Sequence, residues 1–400
     1  MYMYGFSLKC NIAVEFDLMG RMYRGSGEAE EKEKEKMRGE TYRVYVVDVF
    51  AEQPGDGNPA AVILINDDNV TTWPEEEWMN AVARTFRATT RDLVEKRIVA
   101  SSDSVTMHLE YTKQREENDS HHADIVTRVV FLLPDRANER GGYPMYKIRW
   151  KTVRGDECPL CGHGSIAAAS ALLSELVQHV RELQLRTRDD VELSVRRRRV
   201  DDKDVLMLSM PRGSVKEAHS HESETDVARR WRRALFPDAD DVSCVHLIEH
   251  IGMTLPLRDE LFIVKDVETL RNMRPDIDAL LLNRRRNENA DDNQHLKLKR
   301  RGVIATTAEG CAHTHAFESR FWDADGNEDP VTGSIHATLG PFWASRRHEL
   351  DTSHVFMAAF QTSPAMQRSG TVYVAMQPGR EVVDVGGSAL VVAHGHITCV

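Results

Sequence analysis

The sequence is poor in cysteine and has no long apolar stretch. Six cysteines in 400 residues are too few for a disulfide framework, so a reducing compartment, the cytoplasm, is expected. No apolar run approaches the roughly 18 residues of a membrane span, so no membrane is expected as a partner. The first 25 residues contain Glu15 and Asp17 and have no continuous apolar core, which does not resemble a secretory signal.

An excess of positive charge is also missing. Lys and Arg number 52 against 63 Asp and Glu, a net charge of -11, so nucleic acid is not expected as a partner. The run Arg196 to Arg199 is the basic exception. Because its surroundings are acidic, we interpret it as a solvated turn between strands.

Sequence motifs for nucleotides and for serine hydrolases are absent. There is no Gly-x-x-x-x-Gly-Lys-[Ser/Thr], no Gly-x-Gly-x-x-Gly after a strand, and no Gly-x-Ser-x-Gly. Cys158 and Cys161 have the spacing of half a zinc site, but tetrahedral zinc needs four ligands. The remaining candidates, Cys311, His313 and His315, lie far along the chain. The sequence therefore predicts neither a metal nor an organic cofactor.

Two glycine-marked helix starts are the most informative features that are present. Cys161-Gly-His-Gly-Ser165 and Asp329-Pro-Val-Thr-Gly-Ser334 each precede a helix poor in charge, which predicts burial. Free first-turn N–H groups beside a glycine suit a carboxylate or a phosphate. Thr332 or Ser334 can cap the second helix, and Pro341 should kink it or shift its boundary. Cys161 at a helix N-terminus is also a candidate reactive thiol.

The order of elements suggests two similar halves. Strands, a helix, more strands, a glycine turn and a buried helix occur twice, which predicts domains at 41–200 and 201–400. The closing strands are free to return to the first domain. Residues 1–40 are interpreted as a charged, disordered extension, and Asn283 to Arg301 as a charged surface loop. A helix is predicted at Val267–Leu281, and another with an apolar face of Trp78, Met79, Val82 and Phe86.

Several segments resemble the phenazine-biosynthesis (PhzF-like) isomerase family. The segments are Val47-Asp-Val-Phe-Ala51, Gly57-Asn-Pro-Ala-Ala-Val62, Trp78-Met-Asn-Ala-Val-Ala-Arg-Thr-Phe86, Leu160-Cys-Gly-His-Gly-Ser165, Ser319-Arg-Phe-Trp322 and Glu328-Asp-Pro-Val-Thr-Gly-Ser334. The resemblance implies an α+β diaminopimelate-epimerase-like fold. In that fold, two similar domains each curl a mixed β-sheet round a central helix, and the active site lies in the cleft between them.

The resemblance also implies the chemistry, a proton shift on a small hydroxy- or amino-acid without metal or organic cofactor. His163 and Asp329 match catalytic positions of the family, and we expect them to face each other across the cleft. The substrate-binding positions implied are Thr90, Asn58, Gly162, Gly164, Ser165, Thr332, Gly333 and Ser334. The expected partner is a small carboxylate substrate, and a homodimer is left open.

The chain departs from the family pattern at the general base. The family has a glutamate after the first long helix, where this chain places Thr90, and a threonine hydroxyl is not a useful base near neutral pH. Asp92 shares a strand face with Thr90 and is one replacement, whereas Glu95 does not share it. Cys161 is the other. Two-thiol racemases of the same fold use a second cysteine, which here would fall at Pro330, so a two-thiol mechanism is excluded.

Two functions therefore stand side by side. The first is a cofactor-independent isomerase or epimerase of a small carboxylic acid, in which Asp92 or Cys161 supplies the base. The second is a catalytically impaired family member that binds a small molecule or another protein.

Overall fold

A computed structural model of the protein describes residues 10–14, 41–65, 72–86, 105–111, 126–135, 144–158, 160–175, 180–217, 226–238, 246–290, 301–347 and 354–399. Thr90 and Asp92 lie outside the described residues, as do most of the extension at 1–40 and residues 291–300.

Strands dominate the described chain, with helices between them. In chain order the strands are β1 (Cys10–Val14), β2 (Thr41–Val49), β3 (Asn58–Leu64), β4 (Val105–Tyr111), β5 (Arg128–Pro134), β6 (Met145–Thr152), β7 (Glu157–Cys158), β8 (Glu182–Arg186), β9 (Glu192–Val200), β10 (Lys203–Pro211), β11 (Ser214–Glu217), β12 (Ile248–Leu255), β13 (Asp259–Val264), β14 (Gly302–Thr307), β15 (Glu318–Asp323), β16 (Val355–Ser363), β17 (Arg368–Met376), β18 (Val382–Gly387) and β19 (Ala389–Cys399). The helices are α1 (Glu76–Thr85), α2 (Gly162–Glu175), α3 (Asp226–Leu235), α4 (Val267–Asn272), α5 (Ile277–Ala290) and α6 (Gly333–Arg346).

Contacts divide the chain into two compact units. Unit 1 consists of Met1–Val49, Pro59–Arg197 and Ala389–Val400, and unit 2 of Phe50–Asn58 and Arg198–Ser388. The last strand, β19, therefore belongs with β2, although the two are far apart in sequence. The short segment Phe50–Asn58 belongs with unit 2.

In unit 1, mixed strand ladders surround helix α2. Strands β1, β4, β19 and β2 pair antiparallel in that order. In the other ladder, β3 pairs parallel with β5, β5 antiparallel with β6, β6 parallel with β8, and β8 antiparallel with β9. Helix α2 contacts β2 and β19 of the first ladder and β5 of the second. Its alanines, Ala167 to Ala169, are fully buried, so the strands approach the helix closely.

Helix α1 covers a second core of unit 1 with the apolar face predicted for it. Met79, Val82 and Phe86 are buried in this core, and Trp78 packs against it. Ion pairs hold the first turn of the helix against β6. Glu76 in its first turn pairs with Arg149 and with the fully buried Lys151 of β6. Glu157, which lies just before the Cys161 turn, accepts from the same two cations.

In unit 2, one mixed sheet wraps helix α6. Its strands pair in the order β11, β12, β13, β14, β15, β16, β17, β18, β10. Helix α6 contacts β11 at one end of that order and β17, β18 and β10 at the other, so the sheet curls round it. Gly340 permits this packing, because a Cβ there would lie 2.5 Å from Val374 Cγ1.

Two predicted elements are wrong in a way that proline and burial explain. The helix predicted at Val267–Leu281 is two helices, α4 and α5. Pro275 lies between them, and it removes an N–H and disfavours helix at the preceding residue. The loop predicted from Asn283 is helical as far as Ala290. The buried Asn283 side chain donates to Arg230 O (3.0 Å), which holds this stretch against α3.

Two further predictions are corrected. The four-arginine run is not a turn, because it lies within β9, where Arg196 pairs with Glu182 of β8. The turn follows at Asp201, which has a φ of 50°. Helix α6 runs through Pro341 to Arg346, so this proline does not set the helix boundary. None of the helices in the described part of the chain is long and apolar enough to cross a membrane.

Candidate active site

In unit 1, the start of α2 brings three polar side chains together. His163 lies in the first turn and is buried. Its Nε2 is 3.1 Å from Thr127 Oγ1, and its Nδ1 is 3.6 Å from Cys161 Sγ. Thr127 is a partner that the sequence did not reveal, since a lone threonine before a strand carries no signal of its own.

We assign the proton of the neutral His163 ring to Nε2 from its hydrogen-bond partners. Thr127 Oγ1 donates to Pro59 O (3.1 Å), so towards the ring it acts as acceptor, and Nε2–H donates to it. The Nδ1 lone pair then faces the thiol of Cys161. Burial, with the charge of Arg128 acting in the same direction, lowers the pKa of His163 to about 3, so the imidazole is neutral near pH 7.

The glycines and the serine of this turn serve close packing. A Cβ at Gly164 would lie 2.8 Å from Trp150 Cδ1 and 3.1 Å from Cys161 Sγ. Ser165 is fully buried, and its hydroxyl donates to Cys161 O (2.8 Å) within the helix. Gly162 is the first residue of the helix. Substrate binding by Gly162, Gly164 and Ser165 stays a prediction.

In unit 2, the start of α6 is built round Asp329. Its Oδ1 accepts from Asn58 Nδ2 (2.9 Å) and its Oδ2 accepts from Thr332 Oγ1 (2.5 Å). The same Asn58 amide donates to Val331 O (2.8 Å), and Asn58 is fully buried. The carboxylate is therefore held in one orientation by donors from two distant parts of the chain.

A fully buried glutamine latches this turn. Gln361 Oε1 accepts from Thr332 N (2.8 Å), and its Nε2 lies 3.0 Å from Asp329 O and 3.2 Å from Thr332 Oγ1. Thr332 occupies the N-cap position, but its hydroxyl serves Asp329 and makes no cap to the helix, contrary to the prediction. Gln361 was missed because a polar residue within a strand gives no hint of its partners.

The other two residues of the α6 start have different neighbours. A Cβ at Gly333 would lie 2.9 Å from Phe50 Cζ, so the glycine lets the ring pack against the turn. Ser334 Oγ accepts from Arg301 Nη1 (2.7 Å), so Ser334 does not act as a helix cap either. Arg301 in turn holds Asp259 through Nε (2.9 Å) and Nη2 (2.5 Å). Arg301 fell in the stretch that the sequence analysis marked only as a charged loop, and no motif singled out Asp259.

The predicted site residues thus form one cluster in each unit. Cys161, Gly162, His163, Gly164 and Ser165 lie in unit 1, and Asn58, Asp329, Thr332, Gly333 and Ser334 in unit 2. Thr90 and Asp92 lie outside the described residues, and joint action of His163 and Asp329 stays a prediction. Among the described residues, no three His, Cys, Asp or Glu side chains are grouped as a metal ion would require.

Comparisons with known proteins point to one family. The family model described as phenazine biosynthesis-like protein, PhzC-PhzF, matches residues 126–395. Two proteins of Pseudomonas aeruginosa, each named an uncharacterized isomerase, are similar. One is 27% identical over 309 residues, 76% of this chain and 82% of the relative. The other is 28% identical over 353 residues, 88% of this chain and 96% of the relative.

Solved structures agree on the fold. A Bacillus anthracis phenazine biosynthesis protein of the PhzF family superposes with a TM-score of 0.62 at 17% identity, covering 89% of this chain and 99% of that one. A PhzF-family protein of Enterococcus faecalis gives 0.57 at 23% identity, with the same coverage of 89% and 99%. The predicted fold class, a mixed α+β architecture, is therefore confirmed.

Proposed function

This chain belongs to the phenazine biosynthesis-like (PhzC-PhzF) family, and from that membership we propose that it is a cofactor-independent isomerase that moves a proton on a small carboxylic acid. The isomerase names of its relatives support the reaction class. The substrate class, a hydroxy- or amino-acid, follows from the motif resemblance.

The observation that carries the proposal is the contact between the Cys161 thiol and the lone-pair nitrogen of a neutral histidine. The 3.6 Å separation of Sγ and Nδ1 suits an S–H···N hydrogen bond. Thr127 occupies the opposite nitrogen and fixes the ring. The pair replaces the family glutamate, whose position Thr90 occupies, and Asp92 is the second candidate for that role.

The proton moves by relay. The substrate C–H proton passes to sulfur while the S–H proton passes to Nδ1, and the electron pair of the broken C–H bond stays on the substrate as an enolate. The imidazolium and the enolate offset each other's charge, which makes a buried imidazolium tolerable. Reversal of the relay at another carbon completes the isomerisation without an oxidant or a reductant.

The α6 start has the features of an anchor. In the proposal, Asp329 accepts from a substrate hydroxyl or amino group, because Asn58 and Thr332 fix the orientation of its carboxylate. Ser334 and the first-turn N–H groups take the substrate carboxylate, and each helix dipole adds about 0.3–1 kcal/mol.

Proton exchange tests the proposal. In D₂O, NMR should show deuterium entering at least one acid from a panel of small 2-hydroxy- and 2-amino-acids. Cys161→Ser should slow exchange by at least about a hundredfold, because a serine hydroxyl is a far weaker acid and base. Cys158→Ser is the matched control and should leave the rate unchanged. Binding of the acids without exchange, or equal losses in both variants, would contradict the proposal.

The alternative function rests on Thr90. A family member that kept its binding residues and lost the base would bind a small carboxylate without turnover. Thr90→Glu should then create exchange activity that the parent lacks. Ordinary turnover by the parent excludes this alternative.

A further inference from the structure

Arg301 stands beside Ser334 in an arrangement that the proposed reaction has not used. It precedes β14, and its guanidinium forms a bidentate pair with Asp259 at the start of the neighbouring parallel strand β13. Asp259 is fully buried, so the pair is fixed from one side by a carboxylate, to which Thr254 Oγ1 also donates at 3.4 Å. The guanidinium also lies 5.0 Å from the centre of the Phe321 ring.

The hydrogen bond to Ser334 determines what that hydroxyl can do. Arg301 Nη1 donates to Ser334 Oγ at 2.7 Å, and a guanidinium never accepts. The hydroxyl proton must therefore point elsewhere, and no residue in the described part of the chain accepts it. The Ser334 hydroxyl can therefore donate a hydrogen bond to a ligand.

The guanidinium keeps donors of its own. Of its five N–H groups, two serve Asp259 and one serves Ser334. No described residue accepts the other two, and the side chain keeps about a third of its exposure (32%). The guanidinium therefore places a positive charge beside the Ser334 hydroxyl, which favours a carboxylate over a neutral group as the acceptor of that hydroxyl.

We propose that Arg301 is a positioning residue that turns the Ser334 hydroxyl towards the substrate carboxylate and so makes the protein select the charged acid over its neutral amide. The Asp259 carboxylate holds the guanidinium in place for this task. This inference rests on the proposed function, since Ser334 is its contact with the substrate.

Lactate and lactamide are the probes, because they share a shape and differ in the carboxylate charge. Ligand-observed NMR titration should show the wild-type protein binding lactate more tightly than lactamide. Arg301→Met should weaken lactate binding by about tenfold and leave lactamide unchanged, as loss of a charge-assisted hydrogen bond predicts. Wild-type protein without a preference for lactate would overturn the inference.

Arg271 provides the matched control. It also forms a bidentate pair with a buried carboxylate in the same unit, Glu318, and it also lies near a phenylalanine ring, that of Phe360. Arg271→Met should destabilise the fold to a similar extent without changing the ratio of lactate to lactamide affinity. Equal loss of that ratio in both variants would assign the effect to stability and overturn the inference.

A double-mutant cycle separates action through Ser334 from a general effect. Ser334→Ala should lose most of the lactate preference, and adding Arg301→Met should change it little further. Independent, additive losses would overturn the positioning role. Lactate selectivity that depends on Arg301, in a protein that exchanges no acid proton, would keep this inference and remove the proposed function. Proton exchange at a rate that Arg301→Met leaves unchanged would keep the proposed function and remove this inference.

Discussion

The starts of the two buried helices α2 and α6 differ in how their polar groups are held. At α2 the polar groups are few, and His163 is a neutral ring between Thr127 and a thiol. At α6 the Asn58 amide donates to the Asp329 carboxylate and the Gln361 amide donates to the Asp329 backbone carbonyl, while Arg301 donates to Ser334. The first arrangement suits proton transfer, because a neutral imidazole offers a lone pair to the thiol proton. The second suits fixing a charged substrate.

The largest expected effect comes from removing the Asp329 charge, which would make the α6 start as neutral as the α2 start. Asp329→Asn should lower proton exchange by at least about a hundredfold, because an amide accepts a hydrogen bond from the substrate hydroxyl or amino group more weakly than a carboxylate does. NMR exchange rates in D₂O measure it. Asp325→Asn, an exposed change four residues away, is the control. Equal rates in wild type and Asp329→Asn would assign Asp329 to structure alone.

A smaller effect is expected from removing the hydrogen bonds of Gln361 while leaving Asp329 intact. Gln361→Leu leaves the buried Thr332 N–H without its acceptor, so the free energy of unfolding should fall by about 1–3 kcal/mol. Urea unfolding measures the stability, and the exchange assay should show a loss smaller than that of Asp329→Asn. An unchanged free energy of unfolding would mean that the hydrogen bonds of Gln361 do not stabilise the fold.

The smallest effect concerns the buried histidines, one on each helix. Burial lowers the pKa of His163 to about 3 and, despite the opposing hydrogen bond to Thr332 O, that of His336 to about 4. Both folded-state pKa values lie below the unfolded value near 6.5, so each contribution to stability is fully present above about pH 6.5 and is lost as pH falls.

Replacing either histidine by glutamine should remove its share of this acid sensitivity. The slope of unfolding free energy against pH should fall by up to about 1.4 kcal/mol per pH unit between pH 6 and 4.5. Urea titrations at several pH values test both variants. Because His163 and His336 are compared within one protein, a slope that changes for one and not the other would show that the two helix starts differ in their coupling to pH.

Local patterns made part of this predictable. The apolar face of α1 and the two glycine turns depend on residues close together in the chain, so the sequence indicated them directly. Thr127, Gln361 and Arg301 reach the turns from 36, 29 and 33 positions away and were not indicated. The Thr332 hydroxyl was expected to cap its helix, but a carboxylate three residues earlier is the stronger acceptor.

The most direct test of the account combines the two helix starts in one kinetic comparison. Proton exchange into the best acid of the panel is measured for wild type, His163→Gln, Asp329→Asn and the double variant. If both residues serve one reaction, the double variant should be about as slow as the slower single variant, because residues that act as a unit are not additive. Losses that multiply, or either single variant retaining the wild-type rate, would contradict it.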